Sequence, residues 1–284
     1  MDILPDKQNI DRVFSNTTYH IDFYQRDYKW TDEPVRRLLD DIFYAFDETY
    51  SKKKDLDPKP ENVVAHFPWY YLNTYVTNSI DGRVYVVDGQ QRLTTLTLIL
   101  IKLHHLAQSL GSKLDGWVER KIAGQSGFEQ QFWMNHERHV ATLKQLHESD
   151  ENLDDVSTDS GVTAVNMVSA YKTISSFVDD KIAVDVHKFE MFVFFFLNRI
   201  VLVNLAVEQT DVPMVFEVIN DRGVRLKPYE ILKGKLLGQI DKIELIADDY
   251  NGLWETQVKL TNGILVEEID DFFRYYLKAK FADT

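Results

Sequence analysis

No cysteine occurs among the 284 residues, so disulfides, thiolate zinc sites and cysteine nucleophiles are excluded, although that alone does not fix a compartment. Basic charge is scarce: 32 lysines and arginines face 45 aspartates and glutamates, a net charge of −13. A chain of that balance does not coat nucleic acid through bulk electrostatics. Any contact with DNA needs a local basic cleft working against the global field, and basic partners are favoured. No apolar run is long enough to span a bilayer; residues 192–205 come nearest and are cut by Asn198-Arg199. The opening MDILPDKQNIDR carries neither the basic nor the apolar segment of a signal peptide. These absences make a cytoplasmic protein with no membrane partner the expectation. A GxxxxGK loop and an HExxH helix are missing too, so neither a Walker loop nor a zincin-type metal site is encoded.

What is present is ample core material, 44% hydrophobic and 13% aromatic residues, organised around residues 84–106, VYVVDGQQRLTTLTLILIKLHHL. Val84 to Val87 read as a short buried strand, because β-branched and aromatic side chains suit a covered, pleated surface. Asp88-Gly89 then turns the chain. From Leu93 to Leu106 the apolar positions predict a core helix, with Leu93, Leu96, Leu100 and Leu103 in one stripe and Leu98, Ile99 and Ile101 on the flank. The polar cluster from Asp88 to Thr95 therefore lies between a buried strand and the start of a buried helix. Backbone N–H groups at a helix N-terminus attract anions, and Arg92 adds a fixed charge with a bidentate fork. A structural reading stands beside this one: Asp88 accepting backbone N–H bonds at the turn, and Thr94 or Thr95 satisfying the first helical turn.

Upstream, residues 69–77 predict a strand, and Asp81-Gly82 supplies hairpin chemistry leading into Val84, so the central strand gains an antiparallel neighbour. Residues 20–30, HIDFYQRDYKW, begin as a short strand and crowd Tyr24, Gln25, Arg26, Tyr28 and Trp30 together; composition alone reads a packed aromatic loop. Thr31 then caps a helix with the stripe Val35, Leu38, Leu39, Ile42, Phe43 and Phe46. Asp40 and Asp41 are adjacent, point apart and make a poor catalytic pair. Residues 114–147 read as helical. Within them His136 and His139 sit three apart, but HERH offers no third ligand and no metal site is assigned. The acidic stretch 150–161 reads as a loop, residues 165–178 and 189–197 as helices, and 200–207 as a strand. Residues 216–237, FEVINDRGVRLKPYEILKGKLL, form a helix–turn–helix pattern broken at Asn220 and Gly223. The fold class is α+β, a small mixed or antiparallel sheet in a mainly helical chain. Its expected division is a core over 1–110 and a helical region over 111–284, continuing toward a further C-terminal part.

Three stretches in this order, FYQRDYKW at 23–30, VDGQQRLTTL at 87–96 and FEVINDRG at 216–223, resemble the N-terminal domain of GmrSD-type restriction endonucleases, also called domain of unknown function 262. The resemblance covers most of the chain, from about Ile21 to Leu237. It implies a core similar to the ParB and sulfiredoxin nucleotide-binding fold, with a helical lobe attached. It also implies hydrolysis of nucleoside triphosphates, GTP favoured, within a bacterial anti-phage system that acts on modified DNA and relies on an HNH-type nuclease domain or subunit.

Carried over by residue, the resemblance gives Asp88, Gln90, Gln91 and Arg92 the catalytic handling of the triphosphate, with Gly89, Thr94 and Thr95 alongside. Gln25 and Arg26 approach the same nucleotide from the first stretch, and Asn220 and Gly223 close over it; Tyr24 faces DNA. Mg2+ is the implied cofactor, one glutamine orients the attacking water, and a homodimer is left open. Two departures stand out. Ile21-Asp22 replaces the family's Ile-Pro, and no HNH signature follows, so this chain alone is not expected to cut DNA. A non-hydrolysing, nucleotide-gated scaffold that recruits a nuclease or DNA is the alternative.

Overall fold

The computed structural model describes residues 5–21, 25, 27–126, 129–212, 228–237, 240, 244, 247–262 and 268–281. The chain divides into two compact units, one of residues 1–21 with 27–209 and one of residues 22–26 with 210–284.

The first unit is built on a six-stranded mixed sheet. Its strands are β1 (Pro5–Asn9), β2 (Tyr19–Ile21), β3 (Tyr70–Ile80), β4 (Arg83–Asp88), β7 (Met134–Asn135) and β8 (Ile200–Val207), in the order β1-β8-β3-β4-β2-β7. A separate antiparallel hairpin comprises β5 (Ala123–Ser126) and β6 (Glu129–Phe132). β3 and β4 are antiparallel across Asp81-Gly82, where Asp81 (φ 51°) and Gly82 (φ 78°) both adopt the left-handed conformation that a tight hairpin turn requires. β4 pairs in parallel with β2, and β3 with β8. The sheet thus draws strands from both sides of residue 110, and it leaves β4 in its interior, which is why Val86 and Val87 are buried.

Around the sheet lie α1 (Ile10–Val13), α2 (Asp32–Tyr50), α3 (Pro60–His66), α4 (Gln90–Ser109), α5 (Asp115–Ile122), α6 (Val140–Glu148), α7 (Val162–Ile182) and α8 (Val186–Arg199). α4 is buried along almost its whole length, as its all-round apolar sequence demands, and Gly111 (φ 64°) follows its end in the left-handed conformation. The stripe of α2 packs onto α8: Phe43 stacks on Phe192 at 4.2 Å, and Phe46 meets Phe67, Phe192 and Phe195. Asp40 and Asp41 are exposed.

One long helical expectation fails. Residues 114–147 contain α5, the β5–β6 hairpin, β7 and α6 rather than continuous helix. Tertiary pairing overrides local preference here. Trp133 donates its backbone N–H to Ile122 O at 3.0 Å and accepts from Tyr19 N at 2.6 Å, and β7 adds to the sheet alongside β2.

In the second unit α9 (Pro228–Leu237), α10 (Tyr250–Asn262) and α11 (Glu268–Phe281) pack together. Asp270 accepts from Tyr229 N at 2.9 Å, and Trp254 stacks on Phe273 at 5.5 Å. Among the described residues no helix is long and apolar enough to cross a membrane.

Candidate functional site

The end of β4, a single glycine and the first turn of α4 make the site. Gly89 has φ +94°, and a Cβ there would stand 2.7 Å from Tyr75 Cβ on the neighbouring strand. Only glycine allows that turn at that approach. The pairing of β3 with β4 slips between Val76 and Thr77, opposite Asp88, a bulge that bends the strand beside the turn. Tyr75 is itself fixed by hydrogen bonds to Gln8 at 2.7 Å and to Tyr19 at 3.1 Å.

α4 begins at Gln90, three residues before its first apolar position, so Gln90, Gln91 and Arg92 form the first turn. Gly89 stands at the cap and brings no capping oxygen of its own. The first helical bond runs from Leu93 N to Gly89 O at 2.9 Å, so the preceding N–H groups have no carbonyl of the helix to bond. Arg92 is half-buried and donates to Thr74 O at 3.3 Å. Burial lowers the pKa of its guanidinium, while Asp88 and Tyr71 act in the opposite direction and favour its charge.

The two glutamines differ. Gln91 has both ends of its amide engaged: Oε1 accepts from Lys29 N at 2.6 Å and Trp30 N at 3.2 Å, and Nε2 donates to Asp27 O at 2.9 Å. Gln90 is equally buried, yet its Oε1 has no hydrogen-bond partner among the described residues. That is an orphaned acceptor at the first turn of a helix.

Thr94 and Thr95 face inward. Thr94 Oγ1 lies 2.8 Å from His136 Nε2, and Thr95 Oγ1 donates to Gln91 O and pairs with the Tyr28 hydroxyl, each at 2.8 Å. Residues 27–30 are therefore bound to α4 by Gln91 and Thr95. They are held from the other side by α7, where Thr163 accepts from Tyr28 N at 3.0 Å and Asn166 donates to Tyr28 O at 2.7 Å. Thr163 and Asn166 carry no motif, and they meet Tyr28 only because the chain returns some 135 residues later; nothing local marks them.

The structure thus gathers Asp88, Gly89, Gln90 and Arg92 at one turn, and it places Gln91, Thr94 and Thr95 behind them as ties to the interior. Gln25 belongs to the second unit. Tyr24, Arg26, Asn220 and Gly223 lie outside the described residues. The one carboxylate of the turn, Asp88, is half-buried. A single partly exposed carboxylate fits Mg2+, which takes one or two such ligands and fills the rest with phosphate oxygens and water.

No curated protein matches the chain. The family model described as GmrSD restriction endonuclease, N-terminal domain, matches residues 8–237, a span that contains all three motif stretches and the whole six-stranded sheet apart from the first residues of β1. The chain belongs to the GmrSD restriction endonuclease N-terminal domain family.

Proposed function

We propose that the chain is a nucleoside triphosphatase module, with GTP as favoured substrate, in a bacterial anti-phage system that couples hydrolysis to recognition of modified DNA. The first turn of α4 carries this reading: a glycine-capped helix start bears a half-buried arginine and a buried glutamine whose amide oxygen lacks a partner among the described residues. Phosphoryl transfer to water requires placement and charge neutralisation more than covalent chemistry from the protein. The N–H groups of the turn and the Arg92 fork would take the phosphate oxygens. Gln90 Oε1 would accept a hydrogen bond from the attacking water and aim the water's lone pair at phosphorus. As the new P–O bond forms, the bond to the departing diphosphate breaks and the water's proton passes to the released phosphate. Mg2+, held in part by Asp88, supplies neutralising charge when bound. In this reading an HNH-type nuclease partner does the cutting.

Phosphate release from each of four nucleoside triphosphates, with and without modified DNA, tests it. GTP turnover is expected, falling about 10²-fold or more in Arg92→Ala, in line with the loss of one preorganised charge donor. Turnover in Arg92→Ala equal to that of the wild type removes the role of this turn. The engagement of Gln91 with residues 27–30 favours a second reading, a non-hydrolysing scaffold in which nucleotide binding at α4 repositions that segment. Calorimetric binding with phosphate release at background would select it.

A further inference from the structure

Two imidazoles and a carboxylate converge at the far end of α4. One ligand atom each from His104 on α4, Glu119 on α5 and His147 on α6 lie within 4.8 Å of one another, the only such group of three among the described residues. His104 sits fourteen residues beyond Gln90, about 21 Å along the helix, so this group is separate from the triphosphate turn. The His104 and His147 rings stack at 5.5 Å and 23°.

Hydrogen bonding fixes the chemistry of each ring. His104 Nδ1 lies 3.3 Å from Asp115 O, and a carbonyl only accepts, so Nδ1 carries the hydrogen and Nε2 presents its lone pair. The one group on that lone pair is the side-chain amide of Gln108, at 3.2 Å. A backbone carbonyl behind the non-ligating nitrogen is the usual second support of a metal-bound histidine. His147 Nε2 is buried and has no hydrogen-bond partner among the described residues, an unfavourable state for a ring nitrogen unless something fills it. His105 holds the His147 backbone, with its Nε2 2.9 Å from His147 O and its Nδ1 on the Tyr171 hydroxyl at 2.7 Å. The Phe132 ring closes edge-on over His147 at 5.8 Å. Glu119 is exposed, and a carboxylate oxygen of it lies within 4.8 Å of a ring nitrogen of each histidine.

We propose that His104, Glu119 and His147 form a binding site for a divalent transition metal of the zinc class, tying α4, α5 and α6 together with one coordination position left to water. Two imidazoles and one carboxylate suit zinc rather than magnesium or calcium, which take oxygen ligands. Ligand bonds of about 2.0–2.1 Å set tetrahedral ligand atoms roughly 3.3 Å apart, so closure from the observed spacing takes about 1.5 Å at most. Turning the Glu119 side chain, rotating the stacked imidazoles so that their lone pairs converge, and releasing the Gln108 amide would provide it. The simpler alternative, a packed histidine pair beside a surface glutamate, leaves His147 Nε2 unsatisfied and gives Glu119 no part.

The test uses the full chain, freed of any affinity tag and stripped with a chelator, titrated with zinc chloride by calorimetry. One equivalent is expected to bind with a dissociation constant below micromolar, raise the melting temperature, and be undisturbed by millimolar Mg2+. Co2+ is expected to give the visible absorption of a tetrahedral site. Glu119→Gln should weaken zinc binding at least tenfold while melting like the wild type without metal, because Glu119 is exposed. His147→Ala should abolish the Co2+ spectrum. Absence of saturable one-equivalent binding overturns the proposal, and so does binding unchanged in both variants, which would put the ion elsewhere, for example at His136 and His139.

Discussion

Gln90 and Gln91 are neighbours of the same chemistry with opposite surroundings. Removing the Gln91 amide breaks its bonds to Asp27 O, Lys29 N and Trp30 N, which belong to exposed or half-buried residues, and each such bond contributes about 0.5–1.5 kcal/mol. Gln91→Leu should therefore lose about 2 kcal/mol or more in urea denaturation. Gln90→Leu removes an acceptor that has no hydrogen-bond partner among the described residues. Its stability should hold or rise by up to about 1 kcal/mol, while phosphate release falls about 10²-fold. Equal destabilisation by the two changes would show that Gln90 is a structural residue. Gly89→Ala is a third case: φ +94° and a Cβ 2.7 Å from Tyr75 Cβ combine backbone strain with overlap, and a loss of about 1–3 kcal/mol is expected in the same measurement.

Among the elements, those whose burial is written locally were legible. α4 announces itself because apolar residues surround it, β4 because four apolar residues precede Asp-Gly, and β8 because Val201, Val203 and Leu205 alternate before an acidic stretch. The β5–β6 hairpin gave no such signal, since AGQS and EQQF are polar and find their partner only in each other. The same division runs through the site. Asp88, Gly89, Gln90 and Arg92 were readable as a turn, whereas the grip of Thr163 and Asn166 on Tyr28, and the meeting of His104, Glu119 and His147, depend on helix packing that no local pattern encodes. α8 shows how much such packing weighs. Phe192 is almost fully buried, stacked on Phe43 and edge-on to Phe46, and β8 begins at the residue after α8 ends. Phe192→Ala should cost about 3–5 kcal/mol by guanidinium denaturation, with Phe192→Leu well below that. A loss under about 1 kcal/mol for the alanine variant would mean that α2 and α8 are not held by this stack.

The molecule as a whole responds to acid through two opposed effects. Its net charge of −13 repels itself less as protons are taken up, which favours the compact state. His136 works the other way. It is enclosed in the interior against the Thr94 hydroxyl, and burial, with a smaller contribution from His139, pushes its pKa from the ordinary 6.5 down to about 3. Unfolded, the same imidazole titrates near its ordinary value. The stability that neutral His136 contributes is therefore complete above about pH 6.5 and is lost progressively as the pH falls toward 3, because the unfolded chain accepts a proton that the folded one refuses. The slope from one such group approaches about 1.4 kcal/mol per pH unit well below its unfolded pKa. Carboxylates titrate mainly below about pH 5, so the interval from pH 6 to 5 isolates the histidines. His136→Gln keeps an amide able to meet Thr94 and removes the titration. Urea denaturation at pH 7.5, 6 and 5 should show the variant losing less stability over the last unit, by about 1 kcal/mol. Parallel losses in the two proteins would mean that His136 takes up its proton while folded, and that water reaches the back of α4.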